Sequence, residues 1–482
     1  MADNKNGIKG GLLWSFGEGI TAQLVSTIVT IVLARLLDPE HYGIISIVTV
    51  VISFCNVFVT SGLGSALVQK KETSDEDYNT AFLISMLIAV FLYCALFLTA
   101  PIIAAFYEME ELKWVLRIMS LRLPLAAFNS IQQARVQREM RFKRFFIATL
   151  FGTFFSGIVG IVLALRKAGV WALVAQNLLN TTVNTVVLFF VEKWVPRFNF
   201  SIEKAKEIFS FGWKVLMTEL VATAETDVRS LIVGKVFGSA DLAYYDQGKK
   251  YPSVLVNNIN SAINKVLLPA YSRSQDDINN LKMMLRKSIS VGLFVLTPVL
   301  TGFAAISNTF VPVILTDKWL FCIPYIKIFC LIYLTRPFET SCRQALLAIG
   351  RSDTVLRIMI LINVFALAVV FVAVFGFKSV FFVAVGSLIS SLVSIGCFLF
   401  YSNRLIGYKL KEQLVDLIPT LLCGGVMSSI VYAIGLLEIN TLFLLFLQIF
   451  TGAIIYIALA KAFNIAAFQY VLTTIQGVVR HR

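Results

Sequence analysis

The 482-residue sequence contains few charged residues and almost no histidine. Asp, Glu, Lys and Arg make up 15% of it, whereas soluble globular domains carry about 25%. Only His41 and His481 occur, so HExxH and other multi-histidine metal sites are excluded. No GxxxxGKS/T loop and no GxSxG motif is present, which excludes ATP binding by a P-loop and the hydrolase nucleophile elbow. The composition argues against a soluble domain and against these enzyme classes.

The seven cysteines also lack the spacing of a reactive or metal-binding site. No two of them form a CxxC pair, and most lie inside apolar runs. Free cysteine in such a segment behaves as a small hydrophobic residue, so we expect neither disulfides nor metal ligands. They are Cys55, Cys94, Cys322, Cys330, Cys342, Cys397 and Cys423.

Apolar residues, in contrast, are abundant and come in long runs. Hydrophobic residues make up 58% of the chain, and the mean hydropathy is +0.80. A run of about twenty apolar residues crosses a hydrocarbon layer of about 30 Å as a helix. The runs predict an all-α polytopic membrane protein with about fourteen transmembrane helices. The predicted spans are 12–33, 42–59, 81–105, 114–134, 145–165, 170–191, 209–233, 251–269, 288–310, 325–347, 355–375, 379–401, 414–436 and 441–463.

The connections between the runs are short, and their charge alternates. None exceeds about twenty residues, so no soluble domain is expected. The polar first nine residues lead directly into a full-length run, which predicts a retained first helix rather than a signal peptide. Of the 42 Lys and Arg residues, 25 fall on one side of the predicted membrane, with Arg357 and Lys461 at the span ends included, and 9 on the other. The positive-inside rule then places both termini in the cytoplasm. The basic run at 133–144 is interpreted as a cytoplasmic topology anchor, with an anionic-lipid or nucleic-acid site as the alternative.

Short segments of the first half recur in the second. Ser74–Asn79 recurs as Ser274–Asn279 at an offset of 200, and Gln133-Ala134 recurs as Gln344-Ala345 at an offset of 211. The matches keep their order, which predicts an internal duplication. The repeated Ser-x-x-Asp predicts a capping box that opens the third and ninth spans.

The duplication predicts the domain organisation. Two six-helix bundles are expected at 1–200 and 201–406, followed by two additional transmembrane helices and a cytoplasmic tail at 407–482. Because six is even, both bundles enter the membrane from the same side. We therefore expect a pseudo-two-fold axis along the membrane normal, with a substrate path between the bundles.

Charged residues inside the predicted spans are the candidate functional residues. A charge at the bilayer centre costs about 2.5–3.5 kcal/mol on insertion scales, so a deep charge should face a polar cavity or a partner. In the tenth span, Arg336, Glu339 and Arg343 at i, i+3 and i+7 share one helical face. The deep candidates are the cations Arg122, Arg229, Arg336 and Arg343 and the acids Glu18, Glu219, Glu225, Asp227 and Glu339.

The seventh span carries charge around most of its circumference. Glu225 and Arg229 at i, i+4 are placed to pair, while Glu219 and Asp227 point away from that pair. The seventh span is therefore predicted to be a cavity wall, with the first span and Glu18 as its repeat counterpart. Buried structural ion pairs between helices are the alternative interpretation of these charges.

Other polar features have simpler explanations. Arg117, Lys214, Lys265 and Lys327 lie near span ends, where snorkelling to the headgroups explains them. The prolines at 124, 298 and 337 are predicted to interrupt the fourth, ninth and tenth spans and to kink them.

Several motifs together resemble a known family. They are LARLLDPEHYG at 33–43, SGLGSALVQKK at 61–71, GVWALV at 169–174, FGWK at 211–214, IVGKVF at 232–237 and LPAYS at 268–272. These residues are similar to the Wzx-type polysaccharide exporters of the colanic acid and teichuronic acid branch. That family belongs to the multidrug/oligosaccharidyl-lipid/polysaccharide (MOP) superfamily, which also contains the MATE transporters.

The resemblance implies a function, a site and a location. It implies a non-enzymatic flippase of the bacterial cytoplasmic membrane that moves a polyprenyl-diphosphate-linked oligosaccharide to the outer leaflet by alternating access. Arg122, Arg336, Arg343 and Arg229 would hold the diphosphate, because guanidinium bonds phosphate oxygens bidentately. Glu18 lies in the helix where drug-exporting relatives keep a coupling carboxylate. No cofactor is implied beyond H+ or Na+ as the coupling ion.

The resemblance also implies partners and leaves alternatives. The polysaccharide polymerase and glycosyltransferases of the same pathway are the expected partners, besides membrane lipids, and nucleic acid is not. Lipid II flippases of this superfamily carry cavity arginines in their first two helices, and neither predicted span here has one. A lipid II or multidrug exporter is therefore the second hypothesis. A membrane-embedded polysaccharide polymerase is the third.

Overall fold

A computed structural model describes residues 23–70, 72–139, 141–192, 194–272, 277–470 and 472–473. All regular secondary structure within these ranges is helical. The first seven helices are α1 (Gln23–Leu36), α2 (Pro39–Gln69), α3 (Asp75–Tyr107), α4 (Glu110–Met119), α5 (Arg122–Arg138), α6 (Phe142–Leu165) and α7 (Val170–Glu192). The next five are α8 (Ile202–Phe237), α9 (Ser239–Ser272), α10 (Ile278–Phe310), α11 (Ile323–Tyr333) and α12 (Arg336–Ala348). The last four are α13 (Ser352–Phe375), α14 (Val380–Ile406), α15 (Leu410–Ile434) and α16 (Thr441–Ala462).

The helices coincide with the predicted spans. In the described part of the chain, 10 helical segments are long and apolar enough to cross a membrane. The other predicted spans, the first, fourth, seventh and eighth, correspond to α1, to α4 with α5, to α8 and to α9. The prediction of an all-α polytopic membrane protein is therefore confirmed. The count of fourteen remains a prediction, since α1, α4 and α5 are too short and α8 and α9 are too polar to qualify as spans.

Two spans are broken where proline was predicted to interrupt them. The fourth span divides into α4 and α5, and the tenth into α11 and α12. Proline has no N–H, and its ring clashes with the carbonyl four residues earlier. For Pro124 that residue is Ser120, which directly follows the last residue of α4. For Pro337 it is Tyr333, the last residue of α11. Each proline then lies in the first turn of the next helix, where its missing N–H is not needed.

The prediction was wrong for Pro298, which lies inside the continuous helix α10. The carbonyl freed by this proline belongs to Phe294, and the Tyr456 hydroxyl of α16 donates a hydrogen bond to it at 2.9 Å. Pro101 in α3 also frees a carbonyl that a side chain from another helix satisfies. Its freed carbonyl, that of Phe97, accepts a hydrogen bond from Arg117 Nε at 3.1 Å. Arg117 thus replaces a lost backbone hydrogen bond, and its snorkelling to the headgroups stays a prediction.

We expect Tyr456→Phe to destabilise the protein without abolishing its activity. The Phe294 carbonyl would be left without a donor in an apolar core, at a cost of about 1 kcal/mol. A lower melting temperature of the detergent-purified variant would show this. Tyr432→Phe is the matched control, because the Tyr432 side chain is exposed and its hydroxyl bonds none of the residues that the structure describes. Equal melting temperatures for wild type and Tyr456→Phe would contradict the assignment.

The chain divides into two compact units, Met1–Ala243 (unit 1) and Tyr244–Arg482 (unit 2). Unit 1 contains α8, the seventh predicted span, together with the first six. The bundle boundaries proposed from the repeats, at 200 and 406, stay a prediction. In unit 2, α15 is anchored on α10, since Arg286 Nε and Nη2 donate to the two carboxylate oxygens of Asp416 at 2.8 Å. Lys282 and Glu412 add an ion pair of 2.7 Å between the same helices.

Candidate functional site

In unit 1, α8 packs antiparallel along almost the whole length of α2. We call this contact the α2–α8 seam. Its contact pairs, from the beginning of α2 to its end, are Ile47 with Gly234, Ser53 with Asp227 and Gly62 with Gly212. Just beyond the end of α8, Gly43 contacts Ser239, the first residue of α9. The residue numbers rise on α2 as they fall on α8, as an antiparallel pair of helices requires.

Glycines allow the two backbones of the seam to touch. A Cβ atom at Gly62 would lie 2.7 Å from the Gly212 carbonyl oxygen, and one at Gly212 would lie 2.9 Å from the Gly62 carbonyl oxygen. At Gly43 an added Cβ would meet the Ser239 carbonyl oxygen at 1.9 Å. Real Cβ atoms do not approach backbone so closely, so no larger residue fits without separating the helices. Small residues at such contacts are typical of helix association in membranes.

Ion pairs close the end of the seam at residues 70–77 and 204–207. Lys70 Nζ lies 2.9 Å from Asp77 Oδ1 and 2.6 Å from Glu207 Oε2, and Lys204 Nζ lies 3.8 Å from Asp77 Oδ1. Burial lowers the pKa of Lys70, but its hydrogen bonds to Asp77 and Glu207 outweigh burial and hold that pKa above its usual value. The cluster ties the loop between α2 and α3 to the first turns of α8.

The same loop contains the predicted capping box. Asp77 N donates to Ser74 Oγ at 3.3 Å, and Ser74 N donates to Asp77 Oδ2 at 2.8 Å, which confirms the box at the start of α3. In the ninth span the N-cap is Asp277, whose Oδ1 accepts from the backbone N–H groups of Asn279 and Asn280 at 3.0 Å. Ser274 was expected to take that position and lies outside the described residues. A capping box starting at Ser274 is therefore not the cap observed there.

We expect Asp77→Ala to lower stability far more than Glu207→Gln. The Asp77 side chain is 1% exposed. Its loss removes the hydrogen bond from Ser74 N that completes the capping box, and also a buried ion-pair partner, at a cost of about 3 kcal/mol. The Glu207 side chain is 55% exposed, and exposed ion pairs contribute little. Thermal unfolding of the two purified variants measures the difference. A melting temperature for Asp77→Ala no lower than that for Glu207→Gln would contradict it.

The other end of the seam is also closed by an ion pair. Lys235 Nζ lies 2.9 Å from Glu108 Oε1, and the Tyr107 hydroxyl donates to the Leu231 carbonyl at 3.3 Å. The hydrogen bond and charge of Lys235 lower the pKa of the Glu108 carboxyl. α8 is thus held to unit 1 at both ends of α2.

Arg122 is the first residue of α5, directly after the break in the fourth span. Its Nε donates to Thr181 Oγ1 of α7 at 3.1 Å. Among the described residues, no carboxylate lies within ion-pair distance of its guanidinium. A partly buried guanidinium with a single neutral partner keeps most of its N–H donors available for an anion.

A polar stripe on α7 continues from Arg122 and was not identified from the sequence. Asn129 of α5 donates to Asn184 Oδ1 at 2.8 Å and to Thr185 Oγ1 at 3.1 Å, and Gln133 donates to Asn129 Oδ1 at 2.5 Å. Asn177, Asn180, Thr181, Asn184 and Thr185 follow one helical face at i, i+3, i+4, i+7 and i+8. That spacing is visible in the sequence, but only charged residues were considered as candidates there.

In unit 2, Arg336 is the first residue of α12, directly after the break in the tenth span. Arg336 Nη1 lies 3.6 Å from Glu339 Oε2, and its guanidinium lies 5.9 Å from the centre of the Tyr333 ring. Arg336 and Glu339 therefore share one face of the helix, as predicted, and form an ion pair there. Arg343 lies two turns further along α12 and is partly buried, and it forms no ion pair with any residue that the structure describes.

The acids predicted on the seventh span lie apart from one another. Asp227 accepts a hydrogen bond from Ser53 Oγ of α2 at 3.1 Å, so it belongs to the seam. Glu225 forms no ion pair within the described ranges, so its expected pair with Arg229 is absent, and Arg229 interacts elsewhere. Glu219 is exposed on α8. Glu18 lies outside the described residues.

Comparisons with known proteins extend these observations. A family model described as "Polysaccharide biosynthesis protein" matches residues 32–324. The chain is 24% identical over 302 residues to the teichuronic acid biosynthesis protein TuaB of Bacillus subtilis (strain 168), covering 62% of each chain. It is 25% identical over 300 residues to the succinoglycan biosynthesis transport protein ExoT of Rhizobium meliloti (strain 1021), covering 62% of this chain and 61% of that one. The matches thus span about three fifths of the length of these relatives.

Solved structures share the fold. The lipid II flippase MurJ in its inward closed conformation superposes with a TM-score of 0.77 at 15% identity, covering 94% of this chain and 98% of MurJ. An inward-facing MATE transporter of the MOP superfamily gives a TM-score of 0.64 at 15% identity, with coverages of 80% and 94%. These likenesses establish the predicted MATE-like fold. Together with the family match over more than half of its length, they show that the chain belongs to the family of polysaccharide biosynthesis proteins, with the fold of MOP transporters.

Proposed function

We propose that this protein is a flippase that moves a polyprenyl-diphosphate-linked oligosaccharide from the cytoplasmic to the outer leaflet of the bacterial cytoplasmic membrane. The observation that carries the proposal is the placement of two arginines. Arg122 and Arg336 each open the second half of a broken span, the fourth and the tenth, which the predicted duplication makes counterparts of each other. The names of the relatives, which include a succinoglycan transport protein, support the same substrate class.

Both arginines are better explained by an anionic ligand than by fold stability. A cation at a helix N-terminus is opposed by the helix dipole, which affects both arginines. A charge inside the membrane is also costly without a partner, and this cost falls on Arg122, since Arg336 already lies 3.6 Å from Glu339. A diphosphate removes both costs, because its oxygens accept paired N–H bonds from guanidinium. Arg343 on α12 and Arg229 on α8 supply further positive charge to the proposed path.

The acids supply the proposed ion coupling. Glu339 already lies 3.6 Å from Arg336, so a phosphate that binds Arg336 would displace Glu339 and leave its carboxylate to the coupling ion. Glu18, Glu219, Glu225 and Asp227 are the other proposed coupling acids. In this scheme no metal or organic cofactor takes part beyond the coupling ion.

Alternating access requires the α2–α8 seam to open and close. The seam joins span 2 to span 7, which the repeats assign to different bundles, so rocking of the bundles would change it first. The ion pairs at its two ends then act as gates. The polymerase and glycosyltransferases of the same pathway are the proposed partners.

The proposal is tested in cells that depend on this protein for surface polysaccharide. Deleting its gene should remove the polysaccharide and cause the lipid-linked repeat unit to accumulate. A deletion strain in which the repeat unit does not accumulate, while glycosyltransferase activity is intact, would contradict the proposal.

A further inference from the structure

Unit 1 contains an open cavity between the second half of α2 and the second half of α5. Its volume is about 490 Å³, within the range of about 300–1,000 Å³ usual for ligand sites. α2 contributes Thr60, Gly64, Ser65, Val68 and Gln69, and α5 contributes Ser130, Gln133, Ala134 and Gln137. We call this cavity the α2–α5 groove.

Each helix lines the groove with a single face. The positions 60, 64 and 68 on α2 are spaced at i, i+4 and i+8, and those on α5 at i, i+3, i+4 and i+7. The groove therefore follows the two helices lengthwise. It lies at the ends that the positive-inside rule predicts to face the cytoplasm.

The lining combines polar and apolar groups and carries no charge. It consists of three hydroxyls, three carboxamides and three residues without polar side-chain groups. The amides of Gln69 and Gln137 are exposed and form no hydrogen bond with the described part of the chain. Donors and acceptors side by side on neutral groups match sugar hydroxyls, which both donate and accept.

One amide of the groove is fixed in place. Gln133 Nε2 donates to Asn129 Oδ1 at 2.5 Å, and Asn129 donates in turn to Asn184 Oδ1 of α7 at 2.8 Å. This chain holds the Gln133 side chain before any ligand binds, which lowers the ordering cost of binding. It also connects the groove to the α7 polar stripe that begins beside Arg122.

The basic residues next to the groove are engaged elsewhere. The Arg138 guanidinium donates to the carbonyls of Leu67 and Lys70, which ties the end of α5 to the end of α2. Arg135 lies 3.2 Å from Glu139 and faces the Tyr78 ring. A phosphate would find no cation lining the groove, so an uncharged ligand fits it better.

From these observations we propose that the α2–α5 groove binds the uncharged sugars of the lipid-linked substrate, while the diphosphate is held elsewhere. The inference rests on the proposed flippase function and adds the part of the protein that recognises the glycan. It predicts that changes in the groove slow flipping more strongly when the lipid carries more sugars.

Two variants alter the groove, one by filling it and the other by removing two of its polar groups. Gly64→Leu fills it, because a Cβ at Gly64 meets only the Ser130 carbonyl oxygen, at an ordinary 3.9 Å. The double variant Gln69→Leu with Gln137→Leu removes two exposed amides that bond no described residue. Asn403→Leu, which changes an exposed carboxamide of unit 2 that also bonds no described residue, is the matched control.

The experiment compares two probes in proteoliposomes. Both carry the same polyprenyl diphosphate, one with the complete repeat unit and the other with only its first sugar. We expect each groove variant to flip the complete unit about tenfold more slowly, the effect of losing one or two hydrogen bonds. Flipping of the single-sugar lipid should change by less than about twofold, and the control should match wild type with both probes.

The outcomes separate the groove from the function itself. Equal slowing of both probes, or no slowing of either, overturns the groove proposal while wild type still flips both. If wild-type protein flips neither probe, the proposed flippase function fails, and the groove proposal fails with it.

Discussion

Arg122→Gln and Arg336→Gln variants are expected to fold and insert normally but to export polysaccharide at least about 30-fold more slowly than wild type. Truncating one partner of a desolvated, hydrogen-bonded charge pair costs about 2 kcal/mol or more, and 1.4 kcal/mol corresponds to tenfold. Glutamine keeps a donor but loses the charge and the guanidinium fork. Lysine keeps the charge but not the fork, so the export rate of Arg122→Lys should fall between those of wild type and Arg122→Gln.

Stability effects can be separated from substrate effects at this site. Arg336→Gln leaves Glu339 without its partner, whereas Arg336→Ala combined with Glu339→Ala removes both charges. The double variant should therefore be well folded and still inactive. Arg357→Gln is the control, because the Arg357 side chain on α13 is 80% exposed. Surface polysaccharide at wild-type level in the double variant would remove Arg336 and Glu339 from the site.

Gly212→Leu is expected to abolish export by keeping the α2–α8 seam apart. The new Cβ would lie 2.9 Å from the Gly62 carbonyl oxygen, and backbone on both sides cannot move away as a side chain can. Closure of the seam is part of each proposed transport cycle, so an obstructed seam stops turnover. We expect a loss of export of at least about tenfold, equivalent to about 1.4 kcal/mol or more of seam energy.

The state of the seam can be read independently of export. A cysteine at Ser53, which contacts Asp227 across the seam, is introduced into a variant whose seven native cysteines are replaced by serine. It should react slowly with maleimide there and faster when Gly212→Leu is added. Gly396→Leu is the control, since a Cβ at Gly396 meets nothing within 4 Å. Unchanged reactivity of the Ser53 cysteine, together with normal export, would show that the seam tolerates the leucine.

Span positions and helix breaks were predictable because they depend on local sequence. Apolar runs of fixed length give the spans, and Pro124 and Pro337 break the helix at the carbonyl four residues earlier. The capping box of Ser74 and Asp77 and the ion pair of Arg336 with Glu339 also involve neighbours in the chain. Local spacing was sufficient for all of these.

The errors come from contacts between residues far apart in sequence. Pro298 does not interrupt α10, because Tyr456, more than 150 residues away, supplies the missing donor. Glu225 and Arg229 have the right spacing to pair, yet Glu225 forms no ion pair with the described residues, while Asp227 on the same helix contacts Ser53 of α2. No single-sequence pattern indicates which helix a given face will meet.

The seam glycines show how sequence similarity and packing coincide. Gly43, Gly62, Gly212 and Gly234 all lie within the motifs that first suggested the family. Their role as backbone contacts could not be read from the motifs alone, since a glycine in a helix also serves bends and caps. The structure gives a physical reason why glycine is required at Gly43, Gly62 and Gly212.

The most direct test of the account is a flipping measurement with purified protein in liposomes. The lipid-linked repeat unit is placed in the vesicles, and sugar that reaches the outer leaflet is measured with an added, impermeant glycosidase, with and without an H+ or Na+ gradient. The account predicts that wild-type protein exposes the inner-leaflet substrate faster than protein-free vesicles and that Arg122→Gln does not. Exposure at the protein-free rate by wild type, or equal exposure by wild type and Arg122→Gln, would contradict it.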